Sequence, residues 1–476
     1  MQKINSNEEK DEKDEKEVVE VKSSLDFNSS TDINSDKSIP IRLSKKIIWF
    51  LLILISLNHA FLYISPGMLS SCISRIKFEL KLSDEKYGMF GTINGFGSLL
   101  GSIVFTLIIE KSNHKKLMIL VLFINCICHF AFYLKLSYNI LLFSRFLSGF
   151  VSIFCFTYFP MWVDKFGINK WVNFMQTVVQ ISKTFGNVLG YFIFFILGSL
   201  KWNYGFLIES IVVTIVIFFM QLIPNDYYDK KYIDLERERD NKPNLNIDNG
   251  IISEEKETIM KDIICNIPYV LLALYKGNRF FIYVAIQFWF TNYLQTILAV
   301  TERHVIFLSY SITMIFASFI GNIFGGIILG LIGGPNSKHS FIAMFILQFI
   351  SVLFGFFSNS INSIYYFNGM MSLYNFFNFA SGMISINAGF AIMPKTLKGI
   401  ANGIFAVVLN LIAFLPAPYG YAYIKNIVGN GRYVINVLMC YGMFGCVELI
   451  IADLYMRIKK IKLYRREFNT IELNDN

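Results

Sequence analysis

The sequence predicts an all-α membrane protein of twelve transmembrane helices in two pseudo-symmetric six-helix bundles. Three observations predict it. Only 16% of the 476 residues are charged while 54% are hydrophobic, where soluble chains carry roughly a quarter charged residues. Twelve apolar runs each approach the length of about 20 residues that crosses a hydrocarbon core. One long polar connection, Pro224 to Asp262, divides those runs six and six.

Taken in order, residues 1–46 come first. They are acidic, basic and rich in Asn and Ser, as in "NEEKDEKDEKEVVEVK". Such a segment buries too little apolar surface to fold and is expected as a disordered cytosolic tail. It carries no cleavable signal, so the first apolar run is expected to insert as an uncleaved anchor. The first bundle covers 47–223, with spans at 47–66, 88–110, 117–135, 139–163, 171–198 and 204–223. Residues 224–278 are expected as a cytosolic central loop with an interfacial segment. The second bundle covers 279–456, with spans at 279–299, 304–332, 341–358, 362–392, 399–421 and 433–456. A second cytosolic tail, 457–476, follows.

Basic residues set the orientation. With both termini cytosolic, the inside segments hold 26 Lys and Arg and the outside segments 9, the positive-inside bias of membrane proteins. The expected setting is a multi-pass protein of the plasma membrane, with an internal membrane as the alternative. It is expected to act as a monomer with the lipid bilayer and a small molecule as partners. The net charge of +9 follows topology and gives no reason to expect nucleic acid. The seven Cys form no disulfide framework, and most lie in apolar runs, where a thiol is a small hydrophobe. Cys126, Cys128 and His129 do not share one helix face, so neither a metal nor a cofactor is expected.

The halves repeat weakly. The second span carries Gly91, Gly95, Gly97 and Gly101, and the eighth carries Gly321, Gly325, Gly326 and Gly330. Small residues let helix backbones approach closely in lipid. Parallel halves of this kind occur in carriers that rock around a midplane site.

At this point the chain resembles the major facilitator superfamily. That family's signature after the second span reads Gly-x-x-x-Asp-Arg-x-Gly-Arg-Arg. The matching stretch here is "TLIIEKSNHK", Thr106 to Lys115. Glu110 stands for the Asp, Lys111 and Lys115 supply cations, and Thr106 and Asn113 replace the glycines. "RFLSGF" resembles the Arg-x-x-x-Gly element of the fourth span. "YFPMWVDKFGINKW" resembles the close of that span, where the resemblance implies that Asp164 contacts the basic turn near Lys111. Within the superfamily, "SLKWNYGF" and "IPYVLLALYKGNRFFIYVAIQFWFTNYL" look most like the spinster-like and organic-anion branches. The spinster branch carries a Glu just after the Gly of the fourth-span element; Val151, Ser152 and Ile153 stand there instead. The Gly-Pro signature of antiporters is absent from the fifth span. The resemblance covers 47–456 and implies that the first, fourth, seventh and tenth spans line a central path.

The fifth span, "VNFMQTVVQISKTFGNVLGYFIFFILG", holds a cation in an otherwise lipid-soluble stretch. A charge at the bilayer centre costs about 2.5–3.5 kcal/mol on insertion scales, so Lys183 is expected to face away from lipid. Gln176, Gln180, Lys183 and Asn187 are spaced four, three and four apart, one face of a helix. Other spans offer Arg145 in the fourth, Asn58 and His59 in the first, Gln287 and Thr291 in the seventh, and Asn368 and Asn375 in the tenth. Arg145 and Lys183 outnumber the one comparable acid of that half, Glu209, and a chamber with surplus positive charge favours an anion. Structural roles stand beside this reading: Lys183 pairing with Glu209, Arg145 bonding backbone carbonyls, and His59 as a satisfied polar residue.

The expected function is therefore a secondary active transporter of a small organic anion, a carboxylate or an anionic vitamin such as pantothenate. A carrier of lysophospholipids, sphingoid lipids or amino acids is the alternative, and a receptor on a carrier fold the non-transport one. Proton symport would need a titratable group, for which His59 and Glu209 are the candidates. No HExxH, nucleophile elbow or P-loop is present, and no enzyme is expected.

Overall fold

The computed structural model describes residues 18–19, 43–109, 112–168, 171–198, 201–228, 266–334, 337, 339–392 and 398–458. Apart from a two-residue antiparallel pairing of Val18–Val19 with Leu43–Ser44, the described segments are helices and their turns. The first bundle holds Lys45–Ser71, broken at Tyr63, then Asp84–Ile108, His114–Tyr133, Tyr138–Phe166, Val172–Leu197 and Trp202–Leu222. The second holds Ile267–Thr296, Arg303–Leu331, Ser340–Phe357, Ile364–Ile392, Lys398–Val428 and Gly431–Ile458. Eleven of the described helices are long and apolar enough to cross a membrane. The twelfth, Ile364–Ile392, is 29 residues long but is diluted by Asn368, Asn375, Asn378 and Asn387. The end of the molecule that carries Lys45 and Ile458 is called the terminal side below, and its opposite the far side.

Glycines set the helix spacing. A Cβ on Gly97 or Gly101 would meet the Phe146 or Phe150 carbonyl at 2.0 or 2.2 Å, so the second span presses backbone to backbone on the fourth. Gly321 and Gly325 do the same against Phe376 and Ala380 of the tenth span, at 2.3 Å each. The internal repeat is thus a repeated helix pair. Gly326 and Gly330 have nothing within 4 Å, so the packing expected of the whole glycine row holds for only half of it.

The seventh helix departs most from the sequence-based boundaries. It begins at Ile267, not near residue 279. The start signals are ordinary: Asn266 accepts from the Tyr269 N–H at 3.2 Å, and Pro268 occupies the first turn. Both features favour a helix N-terminus. Lys276, placed above in the central loop, and Arg279, placed above at the very start of the span, therefore both lie well inside the helix. Two other spans contain π-helical turns, Ser311–Phe316 in the eighth and Asn410–Phe414 in the eleventh. Such turns are rare and recur at functional sites.

Both bundles are locked together on the far side. Asp84, opening the second span, accepts from Lys425 of the eleventh at 3.0 Å and also pairs with Lys77. Asn426 donates to Glu85 at 2.7 Å, and Lys425 reaches Asn292 of the seventh at 3.2 Å. Tyr191 of the fifth span stacks on Tyr310 of the eighth at 3.6 Å and accepts from Thr291 at 3.1 Å. Among the described residues, no ion pair joins the bundles on the terminal side. The structure is sealed on the far side.

Within the first bundle the far side is also capped. Glu79 accepts from Trp202 at 2.9 Å, Lys135 at 3.0 Å and Arg75 at 2.7 Å. Partial burial pushes its carboxyl up, yet those three donors outweigh it and hold the group below the usual carboxylate range.

The Asp84–Lys425 latch gives a first expected result. Asp84→Asn should shift the conformational equilibrium away from the far-side-closed form. A partly exposed pair of this kind is worth about 1 kcal/mol, a roughly fivefold population change. Spin labels at Ser74 and Gln295, read by electron–electron distance measurement, should show a larger long-distance fraction. The double swap Asp84→Lys with Lys425→Asp should restore the short distance. If Asp84→Asn leaves the distribution unchanged, the pair is no latch.

Candidate functional site

Lys183 points between the bundles. Its ammonium lies 4.7 Å from the Tyr63 ring centroid, 5.0 Å from Phe156, 4.8 Å from Phe414 and 5.9 Å from Phe280. These rings come from the first, fourth, eleventh and seventh spans, so both bundles enclose the cation. Cation–π contacts contribute about 0.5–2 kcal/mol each, the upper figure when water is excluded. Several of them match the cost of placing an ammonium at this depth. Among the described residues no carboxylate pairs with Lys183.

The position of Lys183 follows from its helix. One and two turns away, Gly186 and Gly190 meet the first span so closely that a Cβ would stand 1.9 Å from the Ala60 carbonyl oxygen and 2.4 Å from that of Ile64. The fifth and first spans are thereby fixed, and residue 183 is held at the mouth of their seam. The break at Tyr63 turns its ring over the ammonium.

Two further cations approach from the second bundle. Arg279 is buried and lies across Gly382 of the tenth span, where a Cβ would meet its Nη1 at 2.0 Å. It donates from Nη1 to the Asn378 carbonyl at 2.5 Å, and its guanidinium sits 4.8 Å from the Phe280 ring. Phe280 therefore has Lys183 and Arg279 against the same ring. Lys276, one helical turn earlier, lies 4.8 Å from Phe405 and is near enough to interact electrostatically with both Lys183 and Arg279. Arg279, Phe280, Tyr283, Asn378 and Phe379 line a cleft too narrow to admit a water molecule. Ligand pockets run to about 300–1,000 Å³, so this conformation is drawn in around its own cations. Arg279 Nε and Asn378 Oδ1 are buried there without hydrogen-bond partners. The carboxylate nearest that helix, Glu448, is occupied by Asn278 at 2.6 Å, which in turn accepts from Tyr441 at 2.6 Å.

The other expected residues divide. Thr291 donates to Tyr191 at 3.1 Å, where the bundles meet on the far side of the chamber, and Gln287, one helical turn earlier, lies near Tyr310. His59 lies edge-on to Tyr63 at 5.4 Å, beside the Lys183 cage, with Nδ1 3.0 Å from the Val179 carbonyl and 3.3 Å from Ser182. Asn58 approaches Met220 Sδ at 3.9 Å inside the first bundle. Gln176 donates to the Pro160 carbonyl at 2.8 Å. Asn187 is buried in the seam with the first span and donates to the Lys183 carbonyl at 3.4 Å. Asn368 and Asn375 face the eighth span, where Asn375 donates at 3.0 Å to the Thr313 carbonyl in the π turn. Gln176, Asn368 and Asn375 thus bind helix to helix, while Asn187 bonds back within its own helix. The Gln180 side chain lies outside the described residues.

Arg145 and Lys183 do not share one site, contrary to expectation. Arg145 is eleven residues before Phe156 on the fourth span, about 16 Å along a helix at 1.5 Å per residue. It is buried inside the first bundle, where it donates to Ser65 Oγ at 3.0 Å and to the Phe90 carbonyl at 3.5 Å. Its electrostatic neighbour is Glu209, so Glu209 answers Arg145 and not Lys183. Of the turn after the second span, Glu110 and Lys111 lie outside the described residues, as does the Asp164 side chain. Lys115 donates to the Gln221 and Ile223 carbonyls at 2.9 and 2.6 Å, capping the end of the sixth span. The chamber cations missed by sequence reasoning are Lys276 and Arg279. Their helical spacing of three was the available signal, hidden because the expected boundary between 278 and 279 fell between them.

The family model that matches is that of the Major Facilitator Superfamily, over residues 51–417. No curated protein matches the sequence. Among solved structures, the chain is similar to a bacterial homologue of the human lysosomal transporter Spinster in an inward-facing and occupied conformation. Identity is 13%, the TM-score 0.63, and the match covers 88% of this chain and 98% of that one. It is also similar to a D-xylose–proton symporter, at 12% identity and TM-score 0.64, over 85% and 97% of the two chains. A nucleoside transporter matches at 12% identity and TM-score 0.58, over 86% and 99%. At these identities the likeness is one of fold.

Proposed function

The chain belongs to the major facilitator superfamily, and on that premise we propose that it carries a small organic anion through the chamber between its bundles by alternating access. It is a membrane transporter, not an enzyme. The observation that supports the anion is the meeting of Lys183, Lys276 and Arg279 from both bundles with no carboxylate paired to them among the described residues. An uncompensated cation cluster in a low-dielectric chamber is unfavourable until an anion enters it. Arg279 offers a planar fork for a carboxylate, and Lys183 a point charge. The anion is bound from both halves at once, as alternating access around a central site requires.

This chemistry disfavours the other substrate classes. A zwitterionic amino acid would need a free acid near Lys183, and Glu209 is committed elsewhere. A sugar would need rows of hydrogen-bonding side chains, where this chamber offers rings. The orientation with both termini in the cytosol belongs to the same proposal: the far-side seal would then face outward.

The test is uptake into proteoliposomes of a labelled panel containing pantothenate, toluenesulfonate, amino acids, a pentose and a lysophospholipid. Anion uptake should exceed that of the neutral and zwitterionic compounds. Arg279→Gln should lower it about tenfold or more, as expected for losing a charged hydrogen bond. Selective uptake of the pentose or amino acids, or unchanged anion uptake by Arg279→Gln, would refute the anion reading.

A further inference from the structure

The first bundle holds a second polar cluster that the anion chamber does not use. Glu209 of the sixth span and His129 of the third are both buried, with Glu209 Oε1 3.3 Å from His129 Nδ1. Neither carboxylate oxygen and neither imidazole nitrogen makes a well-formed hydrogen bond. Four unsatisfied buried polar atoms on two touching side chains are costly. One proton answers the demand, because a protonated Glu209 can donate to His129 Nδ1 across the contact already present.

The surroundings give that proton a consequence. Arg145 interacts electrostatically with both groups. The remaining titratable neighbours are Cys126 and Cys128 on the third span and Tyr87 on the second. Among the described residues, the first and fifth spans bring no charged side chain to the cluster, since His59 and Lys183 turn to the chamber. The Ser65 N–H lies beside the Glu209 carboxylate, and the Ser65 hydroxyl accepts from Arg145. Ser65 is two residues past the break at Tyr63, whose ring covers Lys183. The three residues of that break therefore touch both the cluster and the chamber.

We propose that Glu209 and His129 form a proton-binding site that couples one proton to each anion carried, with the break in the first span as the link. The proposal rests on the anion-carrier reading. Glu209 takes one proton from water, gaining one O–H bond, and returns it to water later in the cycle. Ionised, Glu209 cancels the charge of Arg145. Protonated, it leaves the bundle one positive charge richer, which favours an anion in the adjoining chamber. By linkage, the anion must then favour the proton equally.

Infrared difference spectroscopy of the reconstituted full chain tests the site without any substrate. A buried carboxylic acid C=O band should titrate with pH and vanish in Glu209→Gln. Added pantothenate should move its midpoint upward. In proteoliposomes, an inward acid gradient should accelerate pantothenate uptake in the wild type by about tenfold, the ordinary size of a coupling between sites. Glu209→Gln should abolish that acceleration and His129→Gln weaken it, while gradient-free exchange of pantothenate stays within about twofold in both. Exchange retained by Glu209→Gln also shows that the variant folds. Absence of the titrating band, or acceleration that survives Glu209→Gln, overturns the proton site. If the wild type fails to exchange any panel anion, the anion reading falls, and the infrared titration still decides the proton site.

Discussion

Lys183→Gln is expected to lower anion uptake by about ten- to a hundredfold while raising the melting temperature of the detergent-purified protein. The two effects have one cause. In the empty, far-side-closed form, Lys183 is a cation facing other cations, held by rings alone. The rings roughly offset the cost of about 2.5–3.5 kcal/mol for a charge at this depth, which leaves the repulsion from Lys276 unanswered. Gln is one atom shorter, stays polar and removes the charge, so the empty protein gains stability. The bound anion, however, loses a charged contact worth about 1.5–3 kcal/mol. Opposite signs separate this role from a structural one, in which stability and uptake would fall together. The trade is of the kind seen wherever an active site stores strain. Uptake kinetics should show the loss mainly as a raised KM, because the contact is made in the bound ground state. A Lys183→Gln protein that transports normally would remove Lys183 from the site.

The spacing of Gln176, Gln180, Lys183 and Asn187 put them on one helical face, because spacing reports direction around a helix. Spacing does not report what stands opposite. Lys183 looks into the chamber, yet Asn187, one turn on, looks into a seam where Gly67 and Gly186 have brought two backbones together. The asparagines of the tenth span show the same limit: they lie along one face, and that face meets a π turn of the eighth span. Arg145 and Glu209 were legible as buried charges, but only the three-dimensional arrangement shows that they answer each other. Lys276 and Arg279 were lost for a different reason. A hydropathy window treats a cation as loop, whereas the cap at Asn266 and the proline at 268 start the helix ahead of both. The twelve-helix architecture was more secure, since it rests on run lengths set by membrane thickness, and even the polar tenth span carried enough apolar residues to be counted.

The seam that holds Lys183 should tolerate almost no added volume. A Cβ at Gly67 would stand 2.0 Å from the Asn187 carbonyl oxygen, and one at Gly186 1.9 Å from that of Ala60. Both obstacles are backbone, so no rotamer change relieves them, and the helices must part. Gly186→Val is therefore expected to destabilise the protein by about 3 kcal/mol or more, at or above the usual range for overpacking. It should appear as loss of the monodisperse peak in fluorescence-detected size exclusion. Gly186→Ala should leave folded protein with weakened uptake, because parting the fifth span from the first moves residue 183 away from the Tyr63 ring and widens the break that joins the chamber to Ser65. Gly326→Val supplies the contrast: nothing stands within 4 Å of its Cβ, and it should purify and transport as the wild type does. If Gly186→Val behaves like Gly326→Val, then the first and fifth spans are not clamped at this point, and both the placement of Lys183 and the link to the proton site lose their support together.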